Sequence, residues 1–449
     1  MKWARSQHGF SSCVLRRLIV SLWVLSGPTL AGPQPPTSNP AASQRAPGTG
    51  ELGRLLGLPA DAALRISGVW VGNGTDQWNG GVTGLNAPNA VQSVITEASL
   101  DLGKAIGLEN TWIWVQGLQV NATTDAGQAS GSVQGTNSLT TAPPPDRTEL
   151  FEYAIRKDFF GGRLRVIAGK QSASVIFANI NRPDTTSDFR YQIQNLTSLT
   201  FTPIYSMPTL MGRLPGYTNS ALGLAVTAQP EFFDDRSYIS LGVYDGRGGL
   251  RDASVQTGLD SPSLAGPLFS IAEVGSGWVV GKARKPGSAG LGAWSQGGES
   301  VVCQQGNSSN CFTDVGAWGL YGLLNQRLSS FRPEHDSSGL NGFVSAGWSP
   351  SNSNQMSASI TAGLTADGPL KSRPNDSIGV GIAWASINRN SDFLKAEYNP
   401  NELMLQGYAQ IALTDSLYFH PTITVLPLIG VRDATPDSVS GLLQLTMLF

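Results

Sequence analysis

The sequence predicts an all-β protein: a transmembrane antiparallel β-barrel of about 16 strands with a short N-terminal helix. Three observations lead there. From Leu64 onward, segment after segment alternates apolar with polar or small side chains, the period of a strand. Charged residues are only 14% of the 449, well below the roughly 25% of a soluble domain, while the 53 glycines and 11 tryptophans are plentiful. Finally, the chain opens on an export signal yet holds no apolar run of the roughly 20 residues a membrane-spanning helix needs. An exported chain of this kind enters a membrane only with strands, whose alternation keeps the mean hydropathy at -0.08.

Residues 1–31 have the organisation of a secretory signal peptide. Lys2, Arg5, Arg16 and Arg17 precede the apolar run Leu18 to Leu25, and Thr29 and Ala31 supply small residues for cleavage before Gly32. An uncleaved anchor is the rival, and the apolar run is too short for it. The segment carries four cations and no acids, so its removal leaves 26 basic against 32 acidic residues, a net charge of -6. With no dense basic run, nothing in the charge favours a nucleic-acid partner. Residues 32–50 form a Pro/Ser/Thr-rich tether, the stretch "ELGRLLGLPADAA" that follows is a short helix, and residues 51–449 are assigned to the barrel.

The strand pattern is clearest late in the chain. Met356, Ala358, Ile360, Ala362 and Leu364 share one face and Ser357, Ser359 and Thr361 the other. Ile378, Val380, Ile382 and Trp384 oppose Gly379, Gly381 and Ala383, while Leu403, Leu405, Ala409, Ile411 and Leu413 oppose Glu402, Gln406, Tyr408, Gln410 and Thr414. Earlier segments follow the rule more loosely. Ala98, Leu100 and Leu102 oppose Glu97, Ser99 and Asp101; Phe151, Tyr153 and Ile155 oppose Glu152 and Arg156; Leu164, Val166 and Ala168 oppose Arg163 and Arg165; Ile239, Leu241 and Val243 oppose Tyr238, Ser240 and Tyr244.

A soluble sandwich would turn the apolar face inward and a membrane barrel would turn it outward. Trp112, Trp114, Tyr244, Trp384, Tyr418 and Phe419 flank strands and suit interfacial girdles. Sixteen strands leave roughly 26 residues for each strand with its share of turn and loop, and no linker after Gly50 divides the chain into the domains of roughly 100 to 150 residues that a soluble β-protein would use.

Little chemistry is encoded. Cys13 leaves with the signal, and Cys303 and Cys311 bracket the polar "QQGNSSN", the pattern of a disulfide formed in an oxidising compartment. A zinc site is the alternative, but two thiols without nearby His or further Cys make a poor one. After the signal only His335 and His420 remain, and no nucleophile-elbow, phosphate-loop or metalloprotease motif is present. No catalytic residue, metal ligand or cofactor site is assigned. In "SRPND", Arg373 and Asp376 are positioned to pair within a turn.

Several stretches resemble the carbohydrate-selective porins of the bacterial outer membrane, the OprB family: "LGRLLGLPADAALRISGVWVGN", "ASLDLGKAIGLENTWIWVQGLQVNA", "RTELFEYAIRKDFFGGRLRVIAGK", "PGYTNSALGLAVTAQP" with "YISLGVYDGRGG", and "ADGPLKSRPNDSIGVGIAWASIN" with "LYFHPTITVLPLIG". The last departs from the family's more usual Pro-Asp-x-Gln pattern at His420-Pro421 and Pro427. The resemblance, which runs from about Gly50 to Phe449, implies a barrel of about sixteen strands in the outer membrane. It implies passive entry of monosaccharides and small sugars into the periplasm, with a general or inorganic-ion porin as the alternative. It also implies outer-membrane lipids around the barrel, the barrel assembly machinery as a partner and a homotrimer as the assembly.

Passage of a sugar requires a wet lumen with hydrogen-bonding groups that exchange with water. Period-two reasoning points Glu97, Asp101, Glu152, Arg156, Arg163, Arg165, Arg190, Gln192, Gln194, Gln406, Tyr408 and Gln410 inward as pore-lining candidates. Their mixed signs favour neutral polar solutes. In the closing "SGLLQLTMLF", Gly441, Leu443, Leu445, Met447 and Phe449 share a lipid face while Ser440, Gln444 and Thr446 face the lumen. Phe449 is expected to be the assembly signal of an outer-membrane barrel.

Overall fold

The computed structural model describes residues 48–82, 88–123, 129–140, 146–180, 193, 196–216, 219–230, 236–246, 267–303, 311–333, 335–388, 399–431 and 434–449. The expected signal peptide, the tether up to residue 47, and the candidates Arg190, Gln192 and Gln194 lie outside the described residues. The elements are α1 (Glu51–Leu55), β1 (Leu64–Gly81), β2 (Asn89–Asp101), α2 (Leu102–Ile106), β3 (Thr111–Ala122), β4 (Arg147–Phe159), β5 (Leu164–Gln171), β6 (Ala221–Ala228), β7 (Ser237–Asp245), β8 (Leu268–Val280), β9 (Lys285–Cys303), β10 (Cys311–Ser330), β11 (Gly339–Trp348), β12 (Met356–Asp367), β13 (Ser377–Ile387), β14 (Asn401–Ala412), β15 (Leu417–Leu428) and β16 (Thr435–Leu448).

Each strand pairs antiparallel with its neighbours in sequence, and β16 returns to β1, so the sheet closes as a sixteen-stranded barrel with no free edge. Closure reaches the last residue. The N–H of Gly68 donates to the carbonyl of Phe449 at 2.8 Å, and the N–H of Phe449 donates to the carbonyl of Gly68 at 2.9 Å. A Cβ at Gly68 would lie 2.4 Å from the Phe449 ring, so glycine is what lets the terminal aromatic lie against β1. Across β9 and β10 the register sets Cys303 opposite Cys311.

One end of the barrel carries short turns and the other long loops. At the short-turn end α2 begins where the Asp101 carboxylate accepts from the N–H groups of Gly103 (2.9 Å) and Lys104 (3.2 Å). Gly107 ends it with φ of 77°, a left-handed conformation glycine adopts without strain. Two turns at this end are tied by ion pairs, Arg332 with Asp336 at 2.7 Å and Arg373 with Asp376. Burial alone would raise the Asp336 carboxyl, but hydrogen bonds from Ser338 and Arg332 outweigh it and hold it below the ordinary carboxylate range. The hydrogen bond to Asp376 raises Arg373 above its ordinary value.

Among the described residues no helix is long and apolar enough to cross a membrane. The outer face of the strands supplies the apolar surface instead: Ile360 and Leu364 on β12, Ile378, Val380 and Ile382 on β13, Leu405 on β14, Ile423 on β15, and Leu443, Leu445 and Met447 on β16 are all exposed. The alternate residues, such as Ser359, Thr361 and Thr365, or Glu402, Gln406 and Gln410, point inward and are buried.

The alternation breaks where the ladder bulges. A register shift between Gln116 and Gly117 opposite β4 inserts an extra residue there, and Phe151, expected outward with Tyr153, is buried inside against Leu118 and Val120. A shift between Met356 and Ala358 likewise turns Met356 inward and leaves Ala358 on the outer face. Pro427 falls in a third irregularity, between the pairs Leu403–Leu428 and Leu405–Val425, a position where a missing N–H is tolerated.

The aromatic expectation also needs correction. Tyr244 and Tyr418 are buried inside the barrel, Trp114 donates to the inward Glu152, and Trp112 lies under Arg156, so none of these belongs to a lipid girdle. The exposed aromatics that form the two belts are Trp78, Trp318 and Trp348 toward the long-loop end and Phe159, Phe160 and Phe331 at the short-turn end. Trp318 and Trp348 pack edge to face at 5.4 Å.

Candidate functional site: the lumen and its inward loops

The interior of the barrel is occupied by its own loops. Residues 129–140, between β3 and β4, and the described parts of the β5–β6 connection, 172–180 and 196–216, run inside the wall. Ile176, Phe177, Leu196, Leu199, Phe201, Ile204, Met207, Leu210 and Leu214 are buried there, in one cluster with the wall residues Tyr244, Phe269, Trp294, Phe343 and Met404. Each such side chain, fully buried, contributes about 1.5–3 kcal/mol. This barrel therefore has an apolar core inside as well as an apolar surface outside.

Wall glycines make the room. A Cβ at Gly381 would lie 2.3 Å from Leu199, one at Gly347 2.2 Å from the Thr209 hydroxyl, and one at Gly242 2.7 Å from the Phe177 ring. Small residues on β7, β11 and β13 thus let the loop backbone approach the sheet closely, as close packing of an interior requires.

A loop taken into a dry interior brings backbone N–H groups that must find acceptors, since each one left unpaired costs about 1–3 kcal/mol. The wall supplies them as carboxylates and amides. Glu152 on β4 accepts from the Ser172 N–H (2.8 Å) and the Trp114 indole (3.0 Å). Glu273 on β8 accepts from the Ala178 N–H (3.0 Å) and from the hydroxyls of Tyr238 (2.7 Å) and Tyr321 (2.8 Å). On β14, Gln406 accepts from the N–H groups of Thr200 (2.7 Å) and Phe201 (3.0 Å), and Tyr408 from that of Ser198 (3.0 Å). Glu402 on the same strand holds residues 132–134. Arg213 closes the far side, donating to Gln296 on β9 (3.1 Å) and to the Ser353 carbonyl (2.7 Å).

Toward the short-turn end the lumen-facing groups are charged, with Asp158 and Arg165 buried and Arg156 half-buried. Asp158 receives Arg156 (2.9 Å) and Arg165 (3.2 Å), and the Arg156 guanidinium lies 4.9 Å from the centre of the Trp112 ring. An aromatic face beside a fixed guanidinium is a surface on which a polar solute with one apolar side can rest and leave.

The remaining candidates are placed as follows. Glu97 is buried and accepts from Gln116 at 2.7 Å, with Arg65 4.0 Å away. Gln410 is buried on the inward face of β14. The Asp101 carboxylate is engaged as the cap of α2, and Arg163 is exposed in the turn after β4. Glu152, Gln406 and Tyr408 meet the inward loops.

Sequence reasoning passed over Glu273, Arg213 and Glu402 as site residues. Glu402 stood on the polar face of its strand, and nothing local set it apart. On β8 the inward residues Phe269 and Ile271 share a face with Glu273, so the strand is apolar on both sides because a loop, and not water, covers its interior. A charged residue within such a two-faced apolar strand is the signal that would have found it.

A closed sixteen-stranded barrel with an apolar outer belt, paired aromatic girdles and loops folded into its lumen defines an outer-membrane porin. The model of the carbohydrate-selective porin family OprB matches residues 87–449, and the chain belongs to that family. It is similar in fold to OprB of Pseudomonas putida in its high-pH structure, with a TM-score of 0.71 and 17% identity over 89% of this chain and 96% of that one. The low-pH structure of the same protein matches with a TM-score of 0.54 and 14% identity, over 89% and 97% of the two chains. No curated protein matches. The short-turn end, where Phe449 lies, is the periplasmic end in barrels of this class, and the long loops face outward from the cell.

Proposed function

We propose that the chain is a passive sieve through which monosaccharides and small sugars cross the outer membrane, with its width set by loop 129–140 and by residues 172–180 and 196–216 of the β5–β6 loop. The observation that carries the reading is the interior itself. Wall side chains of β4, β8 and β14 hold both loops inside the lumen by their backbone N–H groups, while Arg156, Asp158, Arg165 and Trp112 offer weak polar and aromatic contacts beyond them. The charges there are of both signs and paired, which suits neutral hydroxyl-rich solutes. Passage needs no bond made or broken, so no catalytic group or cofactor enters the proposal.

The rest is drawn from the sequence and, for the assembly machinery, the lipids and the homotrimer, from the family resemblance. Residues 1–31 direct export and 32–50 tether the barrel; Cys303 and Cys311, opposite in register, form a disulfide after export; Phe449, paired to Gly68, is read by the barrel assembly machinery; the protein assembles as a homotrimer among outer-membrane lipids.

Liposomes containing the mature chain test the sieve. They are expected to swell fastest in glucose and progressively more slowly in larger sugars. Absence of swelling in any solute would end the channel reading, and entry of amino acids and salts as readily as sugars would end its carbohydrate part in favour of a general porin.

A further inference from the structure

The one carboxylate on β14, Glu402, is bound in a way the wall carboxylates Glu152 and Glu273 are not. Glu402 is fully buried, and its two oxygens accept from the Ser132 hydroxyl (2.7 Å), the Val133 N–H (2.6 Å), the Gln134 N–H (3.1 Å) and the Gln134 side-chain amide (3.2 Å). Successive backbone N–H groups turned onto one anion form a nest, here with the anion supplied by the wall and the nest by the loop. Room for the contact comes from Gly430 beyond β15, where a Cβ would lie 2.3 Å from the Glu402 carboxylate and 3.0 Å from the Val133 Cβ.

The nest is joined to the second loop. The Ser132 hydroxyl that donates to Glu402 accepts from the Gly135 N–H (2.9 Å). The Gly135 carbonyl accepts from the Thr202 N–H (3.0 Å), and the Ser138 N–H donates to the Thr200 carbonyl (2.9 Å). The same stretch of the second loop, Thr200 and Phe201, is held from the wall by Gln406, on the inward face of the same strand. Residues 132–138 are thus a bracket between Glu402 and the β5–β6 loop.

We infer that Glu402 is the clamp that sets the size limit of the channel: a positioning residue that touches no solute but fixes, through residues 132–138, where the β5–β6 loop stands in the lumen. The inference rests on the sieve reading above. Without the carboxylate the N–H groups of Val133 and Gln134 lose their acceptor, so residues 132–134 leave the wall while Asn73 (to the Asn137 side-chain oxygen, 2.9 Å) and Gln406 (to the Thr136 carbonyl, 3.3 Å) still hold the other end of the bracket, and the lumen widens on the β14 side.

The test compares wild type, Glu402→Ala, Glu402→Gln and Glu402→Ala carrying Val133→Cys with Gly430→Cys, whose disulfide would replace the clamp. Swelling is read in glucose and in a trisaccharide, and single-channel conductance in potassium chloride. For Glu402→Ala, the trisaccharide-to-glucose ratio is expected to rise several-fold and conductance to increase; Glu402→Gln, which keeps one acceptor oxygen, falls between. Oxidising the cysteine pair restores the wild-type ratio, and reducing it abolishes the restoration. A folded Glu402→Ala barrel with unchanged ratio and conductance overturns the clamp, as does a cross-link that forms without restoring the ratio. If Glu402→Ala does not fold, Glu402→Gln decides alone, an unchanged ratio again overturning the proposal. Wild-type liposomes closed to every sugar would overturn the sieve instead, and the clamp would then be judged on conductance.

Discussion

The two faces of β13 and β14 belong to the same strands and obey different rules. Outward, Ile378, Val380, Ile382 and Leu405 meet lipid, where any apolar side chain of any shape serves. Inward, Gly379 clears the Tyr408 ring, Gly381 clears Leu199, and Glu402 and Gln406 each accept several hydrogen bonds from loops more than two hundred residues away in sequence. The outer face is solvated and tolerant. The inner face is a packed protein interior, with the close tolerances and extensive hydrogen bonding that interiors impose.

Substitutions that address one face at a time sharpen this contrast. The largest effect is expected for Gln406→Leu, which keeps the volume but orphans the N–H groups of Thr200 and Phe201, at about 1–3 kcal/mol each. Urea unfolding in detergent would read the loss, and full stability would show that water replaces the amide and that the lumen there is wet. Gly381→Leu follows, at about 1–3 kcal/mol, because its side chain must enter space held by Leu199 and Phe201. On the other face Gly407→Leu is the matched control. A Cβ there meets nothing nearer than Val380 at 3.9 Å, so unfolding should change by less than about 1 kcal/mol. Equal effects at 381 and 407 would erase the distinction between the faces.

The smallest effect belongs to neither face. Asp336, in a periplasmic turn, has its carboxyl depressed in the folded protein, so it contributes stability that is present above the ordinary carboxylate range and lost as pH falls through the folded value. Asp336→Asn should therefore lose slightly less stability than wild type between about pH 7 and about pH 3. Thermal melting of the two at both pH values measures it, and identical pH dependence would mean that the pair with Arg332 is too exposed to matter.

The same contrast explains what could be read from the chain alone. Lipid imposes one demand on every second residue, so the alternation in β12, β13, β14 and β16 revealed the barrel and the outward set around Leu443 and Leu445, while the approximate strand number came from chain length and the family resemblance. Departures from it at Phe151 and Met356 are bulges, which insert a residue without a local signature. Trp114, Tyr244 and Tyr418 were assigned to lipid because an aromatic near a strand end looks alike whether it meets headgroups or an inward loop. The interior was harder still. That Glu152, Gln406 and Tyr408 point inward follows from period two, but that they hold loop amides depends on where residues 172 and 198–201 arrive in space. Glu402 differs from its neighbours only in meeting residues 132–134, and nothing in "NELMLQ" records that.

The central claim is that the inward loops, and not the barrel wall, decide what passes. Replacing residues 196–214 by a short Gly/Ser linker and recording single channels, together with swelling in glucose and a trisaccharide, tests it most directly. The account predicts a barrel that still inserts, conducts more, and no longer distinguishes the two sugars. An inserted barrel with wild-type conductance and an unchanged preference for glucose would contradict it.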